Sequence, residues 1–305
     1  MAGSMRLVRD AVLSRRGLLI SGAAMIGGIA AGCSGGNGHS AKAAPTTSAA
    51  PTTTRPPQAV QIDSSPIGSA SGLTQVDPNT VAAKYAARQP GQWGMDLDGI
   101  VTSFPSKGMQ FALTFDACGG PDNDEINDEL IDYLTAHQIP ATLFLNKRWI
   151  DADPDRVVRL AGNPLFEIGN HGTRHCPLSV SGHAAYGIPG TASPQQAVDE
   201  VWGNHERIIQ LLGKPPRFFR TGTAHYDEVA VSIVQDLGER PVGFSVNADA
   251  GATYTASQVV TAMADVQPGG ISIAHMHRPR SGTAGGMESV LPKMRAAGYE
   301  FVHLP

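Results

Sequence analysis

From Met109 to the C-terminus, short apolar runs alternate with stretches of helical periodicity, and this alternation constrains the fold more than any other feature of the 305-residue chain. Such a pattern builds strand–helix units and a largely parallel sheet whose strands are covered on both faces. The expected strands are 111–115, 141–145, 166–168, 217–219, 242–246, 271–274 and 301–303. The expected helices are 123–137, 154–161, 194–212, 227–237, 257–266 and 283–297, several opened by Pro, Ser or Asp in capping positions. About seven strands alternating with helices predict an α/β fold, a barrel in which chemistry gathers at the carboxyl ends of the strands. Asp116, His171, His175, Arg220, Asp249 and His275 each fall just after an apolar run. The clearest case is Phe111-Ala-Leu-Thr-Phe-Asp116, which delivers a carboxylate to the end of a buried strand. Desolvating that group is unfavourable unless a cation or hydrogen-bond donors await it, so Asp116 reads either as a helix cap or as a functional group.

The N-terminal third has a different character. Arg6, Arg9, Arg15 and Arg16 precede the small, apolar run 17–32, which is short and glycine-rich for a membrane span and reads as an export signal. The pair Arg15-Arg16 resembles a twin-arginine signal. Ala30-Ala-Gly-Cys33 resembles a bacterial lipobox, which implies lipidation of Cys33 and a protein anchored on the outer face of the membrane. The division expected is an export signal at 1–33, a disordered tether rich in Ser, Thr, Ala and Pro at 34–74, a lead-in at 75–108, and a catalytic domain at 109–305. The net charge of −4 gives no basic field, which excludes nucleic acid as an expected partner.

Taken in order, Thr114-Phe-Asp116, His171-Gly-Thr-Arg-His175, Phe219-Arg-Thr-Gly222, the acidic position Asp249 and Ile273-Ala-His275 resemble the motifs of the polysaccharide deacetylase family, also called carbohydrate esterase family four. The resemblance runs from about Gln110 to Pro305. It implies a distorted (β/α)7-type barrel and a hydrolase that removes acetyl groups from a glycan with a bound divalent metal, usually zinc. His171 and His175 are then metal ligands, Asp116 the general base and His275 the general acid. Arg220 orients Asp116, and Asp249, or Asn247, holds Arg220 or His275. The family's first motif normally carries a second aspartate as a ligand, and here that position is Ala117. Three groups can replace it: Asp116 itself, which is the reading favoured; a Cys118 thiolate, which zinc accepts; or Asp122 or Asp124 from the following loop.

With Cys33 assigned to lipid, Cys118 and Cys176 remain of the three cysteines. Each follows a motif residue, and closure of the barrel would make their loops neighbours, so a Cys118–Cys176 disulfide is expected. His183, His225, Tyr226 and His277 fall near the expected rim, and the long segment 177–193 is a candidate wall for a substrate groove. The expected function is deacetylation of an envelope or extracellular glycan, with peptidoglycan amino sugars the natural target. The alternatives are hydrolysis of another amide or ester on the same fold, and glycan binding without turnover.

Overall fold

The structure, a computed structural model, describes residues 76–305. The segments expected to form an export signal, a lipobox at Cys33 and a tether lie outside the described residues. In chain order the elements begin with α1 (Pro78–Tyr85), β1 (Trp93–Gly94), β2 (Gln110–Ala117), α2 (Asp128–Ala136), β3 (Ala141–Leu145), α3 (Lys147–Ala152) and α4 (Pro154–Ala161). They continue with β4 (Phe166–Asn170), α5 (Pro194–Leu212), β5 (Phe218–Phe219), β6 (Tyr226–Asp227), α6 (Glu228–Asp236) and β7 (Arg240–Pro241). The last are β8 (Val246–Asn247), α7 (Ala256–Ala262), β9 (Ile271–His275), α8 (Thr283–Ala296) and β10 (Glu300–Val302).

The main sheet runs β7-β5-β4-β3-β2-β9-β8 with every neighbouring pair parallel. β10 pairs with Gln110–Ala112 of β2, and β3 takes the upper part of the same edge, from Thr114 to Ala117. The sheet curls into a barrel with an open seam: β7 and β8 do not pair with each other among the described residues. The lead-in fills it. Val101 pairs with Val242 on one side, while Ser103 pairs with Gly270 and the Phe104 N–H donates to the Gly269 carbonyl at 2.8 Å on the other.

Strand alternation sorts the side chains into two compartments. Phe111, Leu113, Phe115 and Ala117 of β2 point outward into the core beneath the helices, together with Leu143, Trp149, Ile168, Met276 and Leu291. Ala112 faces the barrel interior with Phe104, Phe144, Phe218, Val242 and Ile271. Thr114 and Asp116 continue the interior face upward and are buried. A third cluster joins Val81, Ala82 and Tyr85 of α1 to α5 and α6, so the lead-in is packed into the body of the domain.

The helix ends follow from local chemistry. Ser193 caps α5 ahead of Pro194, Gly213 ends it at φ +68, and Thr255 with Gln258 forms a capping box on α7. Three expected elements differ. Helix 123–137 starts only at Asp128, where Asn127 supplies the cap. Helix 257–266 shortens to Ala256–Ala262. The expected strand 242–246 is split between β7 and β8, because Gly243 turns to donate its N–H to Val101 and to offer its carbonyl to Arg220. Helices α1 and α3 and the two-stranded pairing of β1 with β6 are additional.

Candidate active site

Four strand ends and their loops converge on one cavity of about 730 Å³ at the carboxyl face of the sheet, within the ~300–1,000 Å³ of small-molecule sites. Asp116, Cys118, His175, His275 and His277 all line it.

Asp116 ends the interior face of β2. Its Oδ1 accepts from Arg220 Nη1 at 2.8 Å, and its Oδ2 lies 3.6 Å from His171 Nε2. Arg220 is fully buried, also donating to Thr114 Oγ1 at 2.7 Å and to the Gly243 carbonyl at 2.8 Å, with its guanidinium 4.3 Å over the Phe144 ring. Gly169 makes that stack possible, since a Cβ there would lie 2.7 Å from the Phe144 ring. A buried carboxylate is thus held by a buried cation whose two Nη groups are both engaged, while its buried Nε has no partner.

His171 donates from Nδ1 to the Arg220 carbonyl at 2.8 Å, which leaves Nε2 turned toward Cys118 Sγ at 3.8 Å. His175 stands edge-on to His171, ring centroids 5.0 Å apart, and its buried Nε2 has no hydrogen-bond partner. The donor atoms of Cys118, His171 and His175 lie within 4.8 Å of one another. Burial raises the Cys118 thiol, but the imidazoles around it, His175 foremost and then His171 and His275, prevail and hold it well below its ordinary value. A thiolate, an imidazole with its far nitrogen already fixed and an orphaned buried ring nitrogen form the donor set that zinc prefers.

Of the groups expected to replace the missing ligand, Cys118 is the one whose donor atom clusters with those of both histidines, because alternation sends Ala117 outward and the next residue back to the cavity. Asp122 and Asp124 are exposed and stand outside the cluster. The expected disulfide is absent: Cys118 and Cys176 are both free, the first turned to the imidazoles and the second on the loop around Glu200.

His275 ends the interior face of β9. Its Nδ1 lies 2.8 Å from Asp249 Oδ1, and Asp249 Oδ2 accepts from the His275 N–H at 2.7 Å and from Thr283 Oγ1 at 2.8 Å. Burial opposes the imidazolium, yet Asp249 outweighs it and raises His275 well above the usual histidine range. Asp249 therefore serves His275 and not Arg220, while Asn247 accepts from the Ala250 N–H. His277 sits against Asp116, its Nδ1 3.3 Å from that residue's carbonyl.

Glu200 of α5 went unnoticed in the sequence. It is buried, and its Oε1 accepts from the backbone N–H groups of Thr173 (3.1 Å), Arg174 (2.9 Å), His175 (2.8 Å) and Cys176 (3.3 Å). The histidine loop is wrapped around one carboxylate, and this holds His175 at φ +66. Gly172 and Gly222 leave the space: a Cβ at the first would lie 2.6 Å from Glu200 Oε1, at the second 2.5 Å from His175 Cγ. The signal available was an acid on the buried stripe of α5, between Val198 and Val201.

A curled parallel sheet with an acid, an arginine and paired histidines at its carboxyl end defines a class, and comparison gives the same class. Residues 105–242 match the model of the family described as polysaccharide deacetylase. A peptidoglycan-N-acetylglucosamine deacetylase of Bacillus cereus is 23% identical over 235 residues, covering 75% of this chain and 80% of its own. Among solved structures, a peptidoglycan N-acetylglucosamine deacetylase superposes with a TM-score of 0.58 at 24% identity, over 67% of this chain and 90% of that one. A carbohydrate esterase family 4 pseudoenzyme from Bacillus anthracis superposes at 0.57 and 19% identity, over 68% and 69% of the two chains.

Proposed function

We propose that the protein removes N-acetyl groups from amino sugars of an envelope or extracellular glycan, such as peptidoglycan, with a divalent metal held by Cys118, His171 and His175. The observation that carries this reading is the meeting, in one cavity, of an arginine-held carboxylate, a Cys/His/His donor set and an aspartate-held imidazole. The metal, zinc by its donor set, would supply a Lewis acid for the acetyl carbonyl and for a water molecule.

The protein's own groups move the protons. Arg220 occupies Asp116 Oδ1 and leaves Oδ2 free to take a proton from the attacking water. His275, kept protonated by Asp249, gives a proton to the departing amide nitrogen as the carbon–nitrogen bond breaks. The oxygen of water ends in acetate, and the sugar keeps a free amine. Export and lipid anchoring through Cys33 would place this chemistry at the cell envelope.

A second reading, glycan binding without turnover, is favoured by one observation: alanine stands at position 117, where the family supplies a ligand. Metal analysis of wild type, His171→Ala and Cys118→Ser, together with acetate release from N-acetylglucosamine oligomers, decides. Stoichiometric metal lost in both variants, with acetate from wild type, supports the proposal. Metal retained in Cys118→Ser removes sulfur from the ligand set, and bound metal without acetate from any acetylated glycan selects the binder.

A further inference from the structure

Tyr186 is the one large apolar residue among the described residues that is mostly exposed, at 76%. It sits on a two-residue turn closed by reciprocal backbone bonds between Ala185 and Ile188, with Tyr186 at φ +52 and Gly187 at φ +75. Two successive positive φ values belong to the hairpin turn whose first position favours Asn, Asp or Gly. An aromatic residue held there is strained, and strain of this kind persists where the surrounding structure enforces it and function uses it.

The surroundings do enforce it. Tyr186 meets His225 edge-on, with centroids 5.2 Å apart and planes at 86°. His225 tilts against Trp93 at 5.7 Å, and Trp93 stacks on His183 at 5.1 Å. His225 is itself fixed by its Nδ1 at 2.7 Å from the Thr223 carbonyl, and the base of the insert is tied to β6 by the Val180 N–H on Asp227 Oδ2 at 2.7 Å. The lead-in, the 177–193 insert and the loop after β5 thus each contribute a ring to one brace. Because the brace touches Tyr186 by an edge contact, a face of the ring stays free, and the residue lines the same cavity as Asp116, Cys118 and His275.

We propose that Tyr186 is a stacking subsite for a pyranose ring, binding the sugar next to the one whose acetyl group is removed. The inference rests on the glycan-deacetylase reading and adds to it a preference for chains over single sugars. A flat, rigid, amphipathic ring is suited to the C–H face of a sugar, with its hydroxyl left for the rim, and it loses little conformational freedom on binding. A protein partner docking through the same ring is the competing occupant, and it would show no dependence on glycan length.

The test compares wild type, Tyr186→Ala and Tyr186→Trp on N-acetylglucosamine oligomers of increasing length, with melting curves to confirm folding. Wild type should gain kcat/KM as the chain lengthens. Tyr186→Ala should lose about tenfold of that gain through KM, the size of one lost ring-stacking contact, and Tyr186→Trp should keep it. An active enzyme whose length dependence is the same in all three proteins overturns the subsite. If wild type releases no acetate from any oligomer, the deacetylase reading fails by itself, and calorimetry then decides the subsite. Weaker oligomer binding by Tyr186→Ala supports it; equal binding, or no binding by wild type, overturns it.

Discussion

Replacing Glu200 by alanine should loosen the histidine loop and weaken metal binding without touching a ligand. Three of the backbone bonds to Oε1 are 3.1 Å or shorter, and the residue is 1% exposed. Each buried donor left without an acceptor costs about 1–3 kcal/mol. Relief of the buried charge and entry of water into the vacated space bring the sum to the low end, about 3–4 kcal/mol. For a domain of this size that is a fall in Tm of roughly 10 °C. Zinc affinity should drop about 10–100-fold, as when a group that orients metal ligands is lost. Glu200→Gln separates the roles of acceptor and charge. Burial raises the Glu200 carboxyl above its ordinary value against the backbone N–H groups that lower it. The folded state therefore binds more protons than the unfolded chain between the two pKa values, and stability falls as pH rises through that window. The glutamine keeps one oxygen and loses this slope, so it should restore most of the zinc affinity. A Glu200→Ala variant that melts with wild type and binds zinc equally well refutes this role for Glu200, as does a glutamine variant as impaired as the alanine variant.

Asp249→Asn should move the loss of activity on the alkaline side to lower pH in a kcat/KM profile, because His275 must carry its proton and Asp249 is what raises it. The stability this pair contributes is fully present below about 6.5 and is lost as pH rises through the raised value, so the variant's deficit in urea unfolding should shrink at high pH. Arg220→Ala leaves the Asp116 carboxylate buried without its cation and should cost about 3–5 kcal/mol in urea unfolding, together with most of kcat. Gly222→Ala brings a methyl to 2.5 Å from His175 Cγ, so zinc titration should show weakened binding with smaller changes in melting temperature than Arg220→Ala.

The strands and long helices were legible because hydrophobic periodicity is a local property, and Pro194–Leu212 carries both its capping serine and its terminal glycine in plain view. The positions of Asp116 and His275 were legible for the same reason, each closing an apolar run. The ligand set was harder. Ala117 reads as a defect along the chain, whereas the two-residue alternation of β2 turns that position into the outer core and returns Cys118 to the cavity. The disulfide expectation failed because proximity of loops does not fix where a sulfur points. Glu200 and the 101–104 strap escaped because their partners lie far away in sequence, where no periodicity connects them.

That strap has a consequence for how the protein is made. Ser103 and Phe104 find their partners at Gly270 and Gly269, far along the chain and just ahead of β9. The early-synthesised strap therefore waits, unpaired, until nearly the whole domain exists, and closing it draws together distant parts of the chain, which slows folding.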